Sequence, residues 1–220
     1  MAKNIYNNET FLRGKVGKNI YKVVRGKQIV APFAIPANPR TTAQVLVRAK
    51  MSLIGRVAAF MKSILKLGFG PYAKQRRSLP AALFIKENYK HIDGITPATL
   101  LMKWDEVVVS KGSNRGIVLD TDHIDQTSVP GTISVAVQEQ LIEADRSNIN
   151  DKCYLVALCP EVNDACVGTS VKRQEANELS VIPPAWWSGK KVYLYAVTTN
   201  EDETIASDSL MVGKIDFVIE

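Results

Sequence analysis

The densest grouping of chemistry-bearing side chains in the 220-residue chain is Asp120-x-Asp122-His123-x-Asp125. Carboxylates and an imidazole at this spacing are hard ligands of the kind that hold Ca²⁺ or another divalent ion. The segment lacks the glycine and the distal glutamate of an EF-hand loop, so it reads as a solvated acidic loop and no metal site is assigned. Adjacent acids such as Asp105/Glu106, Glu201/Asp202/Glu203 and Glu139/Glu143 have the composition of acid–base pairs, yet they fall at strand ends and turns, where carboxylates are ordinarily solvated. GKVGK at 14–18 lacks the Gly-x-x-x-x-Gly-Lys-Ser/Thr spacing and precedes a hairpin rather than a helix, which excludes a phosphate loop. Only two histidines are present, His91 and His123, and no Ser or Cys sits beside a plausible base. No catalytic residue or cofactor is assigned, and the chain is expected not to be an enzyme.

Binding chemistry is more legible than reaction chemistry. Residues 1–92 hold 18 Lys/Arg against Glu9 and Glu87, a net +16, whereas residues 93–220 carry −10. A segment this cationic concentrates polyanions or acidic surfaces around itself. The candidate contact residues are Lys15, Lys18, Lys22, Arg25, Lys27, Arg48, Arg56, Lys62, Lys66, Arg76 and Arg77. Tyr6, Tyr21 and Tyr72 are interleaved with them, a composition that suits phosphate contacts. No helix-turn-helix, zinc finger or RNP-like motif is present, so any nucleic-acid contact is expected to reach the backbone without reading sequence.

The elements that position these cations follow from local pattern. NIYKVVRGKQIVA at 19–31 reads as a hairpin turning at Arg25-Gly26. Such a hairpin is marginal alone and needs something to pack on. PFAIPANPR, with three prolines, reads as an extended arm. Thr41 and Gln44 then resemble a capping box, opening a helix of about 25 residues that runs to about Leu67. Leu46, Leu53, Val57, Phe60, Met61 and Ile64 form its apolar stripe, and Arg48, Arg56, Lys62 and Lys66 lie on the opposite face. Lys50 sits near the apolar edge and requires a partner. Gly68 and Gly70-Pro71 are expected to stop the helix, and a shorter one to begin near Pro80.

Beyond Asp93 the period becomes strand-like. Eight candidate strands (100–110, 116–119, 131–138, 152–158, 167–172, 179–182, 191–199 and 210–218) at about 10-residue spacing suggest an antiparallel β-sandwich of the immunoglobulin or fibronectin-like kind. Val192, Leu194 and Ala196 face one side of their strand, and Tyr193, Tyr195 and Val197 the other. Both faces being apolar, this strand is expected to be central. The fold class expected is therefore α+β: a basic hairpin–arm–helix module over 1–92, then an acidic sandwich over 93–220.

Cys153, Cys159 and Cys166 do not match a zinc site. Cys153 and Cys159 would share a strand face roughly 20 Å apart, beyond disulfide reach, so reduced thiols and a cytoplasmic origin are expected. No signal-peptide run or stretch of about 20 apolar residues is present. Trp186 and Trp187 would form a ligand platform if exposed, although turn packing is the commoner use of such a pair.

Several motifs carry a resemblance: GKVG at 14–17, YKVVRGKQIV, NPRTTAQ with RAK at 38–50, LGF at 67–69, WDEVVVSKGS at 104–113, DKCYLVALCPE, and PPAWWSGKKVYLYAVTTNEDETIASDSLMVGKI. Together they resemble an uncharacterised family of Bacteroidota proteins, and the hairpin plus NP-x-T-x-AQ opening is similar to sequences of phage and prophage neighbourhoods. The resemblance implies a basic hairpin–helix module preceding a β-sandwich, and no activity. The function expected is a structural protein that self-associates or joins other particle proteins, a phage-like virion being one such particle. Sequence-nonspecific nucleic-acid binding is the alternative, and ligand binding by the sandwich a further one.

Overall fold

The computed structural model describes residues 3–7, 9–24, 27–34, 40–126, 128–144 and 147–219. It is a mixed α+β structure with two compact units, Met1–Thr41 and Thr42–Glu220. The line drawn from charge and periodicity near residue 92 runs through the second unit.

The first unit is a four-stranded antiparallel meander: β1 (Lys3–Asn7), β2 (Glu9–Val16), β3 (Asn19–Val24) and β4 (Lys27–Pro32), in that spatial order. The expected hairpin is its second half. Val24 opposes Lys27, the register of a two-residue loop, although Arg25 and Gly26 lie outside the described residues. Between β2 and β3 the turn is Gly17-Lys18, with positive φ at Gly17 (+59°) and not at Lys18. That is the signature of a type II′ hairpin, which wants glycine first. Of the Pro-rich arm, Phe33 and Ala34 carry no regular structure, and residues 35–39 lie outside the described set.

In the second unit the expected long helix is two shorter ones. α1 spans Thr42–Phe60 and α2 spans Lys62–Gly68, separated by Met61 at φ −84°, ψ 11°. Met61 still donates to Val57 O (3.2 Å) and Leu65 to Met61 O (2.9 Å), so the break is a single-residue redirection of the axis. Its reward is burial: Met61, Ile64, Leu65 and Phe69 are all removed from solvent. The polar face is as expected, with Arg48, Ser52, Arg56, Lys62 and Lys66 exposed, while the buried stripe also takes in Ile54, Ala58 and Leu65. Lys50 finds its partner in the Ile92 carbonyl (3.4 Å). Gly68 does not stop a helix by turning left-handed. It permits backbone contact, since a Cβ there would lie 2.5 Å from Val109 O and 2.7 Å from Ser110 Cβ. α3 (Gly70–Gln75) and α4 (Pro80–Asn88) follow.

The predicted strand over Leu100–Ser110 is mostly not a strand. β5 (Ile92–Asp93) pairs only with β6 (Leu101–Met102), a 3₁₀ turn covers Trp104–Glu106, and residues 107–110 run extended. Several of their bonds go to side chains: Val108 N donates to Asn88 Oδ1 (2.7 Å), Asn88 Nδ2 donates to Val108 O (2.9 Å), and Val109 N donates to Ser209 Oγ (3.1 Å), while Ser110 O accepts from Ser209 N (3.1 Å). The buried Asn88 thus stands in for a strand partner.

The remaining strands are β7 (Val118–Asp125), β8 (Ile133–Glu139), β9 (Lys152–Cys159), β10 (Asp164–Val167), β11 (Val171–Lys172), β12 (Glu178–Val181), β13 (Lys190–Thr199) and β14 (Leu210–Phe217). One sheet runs β10-β9-β13-β14, with β11 also on β9, and a second runs β12-β8-β7. β13 is central, as its two apolar faces require. Val156, Leu158, Tyr195 and Val197 pack into a core with Ile54, Val57, Met61, Phe69 and Phe84 of the helices. Leu155, Ala157, Val192 and Leu194 on the opposite face share a second core with Leu119, Ile133 and Leu179 of the other sheet. The order of layers is helices, five-stranded sheet, three-stranded sheet.

At the margin of the second core lies a fully buried arginine. Arg173 donates to Gly116 O (2.7 Å), Gln140 O (2.8 Å) and Arg115 O (2.6 Å), and pairs with Asp151 at 3.2 Å. Asp151 also accepts from Asn114 Nδ2 (3.0 Å). Removing the guanidinium strands a buried carboxylate and three carbonyls, so Arg173→Ala is expected to cost about 3–5 kcal/mol in urea unfolding. Gly68→Ala is expected to cost about 1–3 kcal/mol by overpacking, and an unchanged urea midpoint in either variant would contradict the packing described.

Candidate functional site: a cationic sheet face and a cation-rimmed groove

The sequence-predicted cations fall into two groups. In the first unit, the pairings Lys15↔Ile20, Ile20↔Ala31, Lys22↔Ile29 and Val24↔Lys27 put Lys15, Lys22 and Lys27 on one face of the sheet. The alternation places Val16, Asn19, Tyr21, Val23, Gln28 and Val30 on the other, which is uncharged. Lys18 occupies the turn, and the Lys15 ammonium lies 3.6 Å from the centre of the Phe33 ring. Among residues 12–24, 27–34, 40 and 41 of this unit no side chain is buried, and Val30 is 52% exposed.

In the second unit, Arg48 and Arg56 are exposed on α1, away from any cleft described below. Lys62 and Lys66, one turn apart on α2, border a groove of about 750 Å³ whose floor includes Phe60, Leu65, Leu79 and Ala165. Ser63, Lys66 and Pro80 also line an adjoining cleft of about 580 Å³, where Lys74 and Arg77 join the rim and Asp202 and Glu203 face them. Arg77 and Glu203 both adopt left-handed backbone, at φ 48° and 54°. Such conformations cost non-glycine residues of order 1 kcal/mol each and concentrate at functional sites. Arg76 points elsewhere, its guanidinium 4.4 Å from the Tyr72 ring centre. Arg25 lies outside the described residues.

At the rim Lys62, Lys66, Lys74 and Arg77 outnumber Asp164, Asp202 and Glu203. Glu203 accepts from Lys152 Nζ (2.7 Å) and Tyr154 OH (3.2 Å), and the Lys152 hydrogen bond holds its carboxyl below the usual value. Asp164 accepts from Trp187 Nε1 (3.2 Å) and from Ala165 N (2.8 Å). Among the described residues no ion pair involves Lys62, Lys66, Lys74 or Arg77. Lys74 and the apolar floor were not singled out from sequence. Leu79 beside Pro80 gives no periodic signal, and its 72% exposure is a property of the fold.

The other chemistry-bearing groups are placed as follows. His123 Nδ1 lies 3.1 Å from Asp120 on β7, and among the described residues no three His, Cys, Asp or Glu side chains converge as a metal cluster would. Asp105 and Glu106 pair with Lys214 and with His91 and Lys103. All three cysteines are free, and burial pushes Cys153 up to about 11 and Cys166 up to about 12, which keeps them protonated. Trp187 is buried, whereas Trp186 is 68% exposed, so the pair forms no joint platform. No helix among the described residues is long and apolar enough to cross a membrane.

Glu87, which accepts from Lys111 Nζ at 2.8 Å, is likewise held below the ordinary carboxylate value of 4.5. A depressed carboxyl adds stability that is full above its unfolded pKa and is lost as pH falls through the folded one. Acidification below pH 4.5 is therefore expected to lower the unfolding midpoint more for the native chain than for a Glu87→Gln/Glu203→Gln variant. Parallel pH profiles would contradict these two pairings.

No curated protein and no solved structure matches the chain. A family profile does, over residues 11–213, which takes in most of the meander, all four helices and the strands of the second unit up to the middle of β14. The chain therefore belongs to a family of unknown function (DUF6266).

Proposed function

We propose that the chain is a non-enzymatic structural protein that joins a larger particle through its basic N-terminal unit. The observation that carries this reading is the meander with a cationic face, an uncharged and largely apolar face, and no buried side chain among residues 12–24 and 27–34. A sheet with this much uncovered apolar surface gains its stability by covering one face with a partner. The natural partners are further copies of the chain or other particle proteins, a phage-like virion being one such particle. Within this reading the two sheets of the second unit, which face each other across one core, act as a β-sandwich of the immunoglobulin or fibronectin-like kind, with the helices as an added outer layer.

Nucleic-acid binding is the second reading, favoured by a separate observation. Lys15, Lys18, Lys22, Lys27, Lys62, Lys66, Arg76 and Arg77 make no ion pair among the described residues, and so stay available to phosphates. Each phosphate neutralised on duplex DNA would add about 0.9 to the log–log salt slope.

Sedimentation of the purified chain at about 50 and 200 mM salt separates these readings. Assembly predicts species larger than the monomer, reduced to monomer by Val16→Asp/Val30→Asp on the uncharged face. Nucleic-acid binding predicts a complex with arbitrary duplex that collapses over the same salt range and on Arg76→Ala/Arg77→Ala. A monodisperse monomer at both salts, with no partner recovered, would count against assembly.

A further inference from the structure

The groove on the second unit and the end of β14 have matching chemistry on opposite edges of one sheet. The groove lies at the β10 edge, where Asp164 and Ala165 form one wall. β14 is the terminal strand at the other edge. After Phe217 the chain continues as Val218 and Ile219, 49% and 36% exposed, flanked by Asp216 and, in sequence, Glu220. Asp216 makes no ion pair among the described residues. The segment is held in place: Gly189 N donates to Phe217 O (2.7 Å) and Ile219 N donates to Ser188 Oγ (3.3 Å). Val218 and Ile219 are thus a preordered apolar pair beside the Asp216 carboxylate.

We propose that the groove of one copy receives the segment Asp216–Ile219 of a second copy, with Val218 and Ile219 on the floor beside Phe60 and Leu79 and the Asp216 carboxylate against Lys62 and Lys66. This rests on reading the chain as an assembling protein, but it uses a different surface from the N-terminal sheet. Charge complementarity selects the occupant, because Lys62 and Lys66 make no ion pair among the described residues and outnumber the one acid lining the groove, Asp164, while Glu203 of the adjoining cleft is paired with Lys152. Topology selects a second copy over the chain's own tail. Three strand spacings, about 14 Å, separate the two edges, and the tail is pinned at Ser188 and Gly189. A contact between two different patches of the same molecule is heterologous, so it propagates into a ring or an open filament rather than stopping at a dimer.

The test is made in the full-length Val16→Asp/Val30→Asp background, which removes association through the N-terminal sheet. Self-association is expected to persist there, and to weaken at least tenfold with Lys66→Glu/Leu79→Asp in the groove or with Val218→Asp/Ile219→Asp in the segment. Each of those variants keeps one intact half of the contact, so mixing them should give a one-to-one complex and nothing larger. A labelled peptide of residues 214–220 should bind the segment variant and not the groove variant. The proposal is overturned if the peptide binds both variants equally or neither, if mixing gives no complex, or if an oligothymidine or an unrelated acidic peptide binds the groove more tightly than residues 214–220. If Val16→Asp/Val30→Asp alone abolishes all association and the peptide does not bind, the assembly reading stands and this contact falls.

Discussion

The second unit is organised by one constraint: β9 and β13 pair along most of their length and are apolar on both faces. A strand pair with one apolar face needs one cover, and a pair with two needs two. The three-stranded sheet supplies one and the helices the other, and the local irregularities follow from fitting the second. The helical path is redirected at Met61 so that Ile64, Leu65 and Phe69 descend onto the sheet. Gly68 lets that path meet the backbone at Val109, and Asn88 satisfies the strap at Val108 where no strand is available. Edge-to-face packing of Phe69 on Phe84, with ring centres 6.2 Å apart, fills the remaining space between α2 and α4.

Electrostatics divides the chain along a different line from packing. Beyond residue 87 the bases pair with nearby acids, mostly as exposed pairs worth little individually, and the surplus of acids remains. The exception is Arg173 with Asp151, where the charges are buried and three backbone carbonyls accept from the guanidinium. The earlier stretch has almost no acids to spend. Its excess charge is therefore a property of the molecular surface, carried in part by a sheet face and a groove rim.

Much of this was legible in the sequence where periodicity carries the information. The alternation around Val192–Val197 gave a central strand, the cationic side of residues 48–66 is the exposed one, and YKVVRGKQIV does form a hairpin. Periodicity was silent where the decisive event is a tertiary contact. Nothing in the spacing around Met61 marks a break, since both sides of it remain good helix. Arg173 reads as one more surface cation until three carbonyls converge on it. Lys3–Asn7 is too short and polar to announce itself as β1. WDEVVVSKGS has the β-branched content of a strand, and is denied that state because its would-be neighbours are helices. The groove was invisible for a related reason: Phe60, Leu79 and Ala165 are distant in sequence and meet only when α2, the start of α4 and β10 are in place.

The core shared by helices and sheet joins residues 54–84 to residues 156–197. On a ribosome the helices are complete long before either long strand exists, and a buried arginine at position 173 closes loops of more than 30 residues on the way. The apolar stripe of α1 and α2 must therefore wait, uncovered, for about half the chain to be made, a span of several seconds at ordinary elongation rates of about 5–20 residues per second. Its dense positive charge is an asset in that interval, because nascent helices that repel one another resist the aggregation that their bare apolar side would otherwise invite.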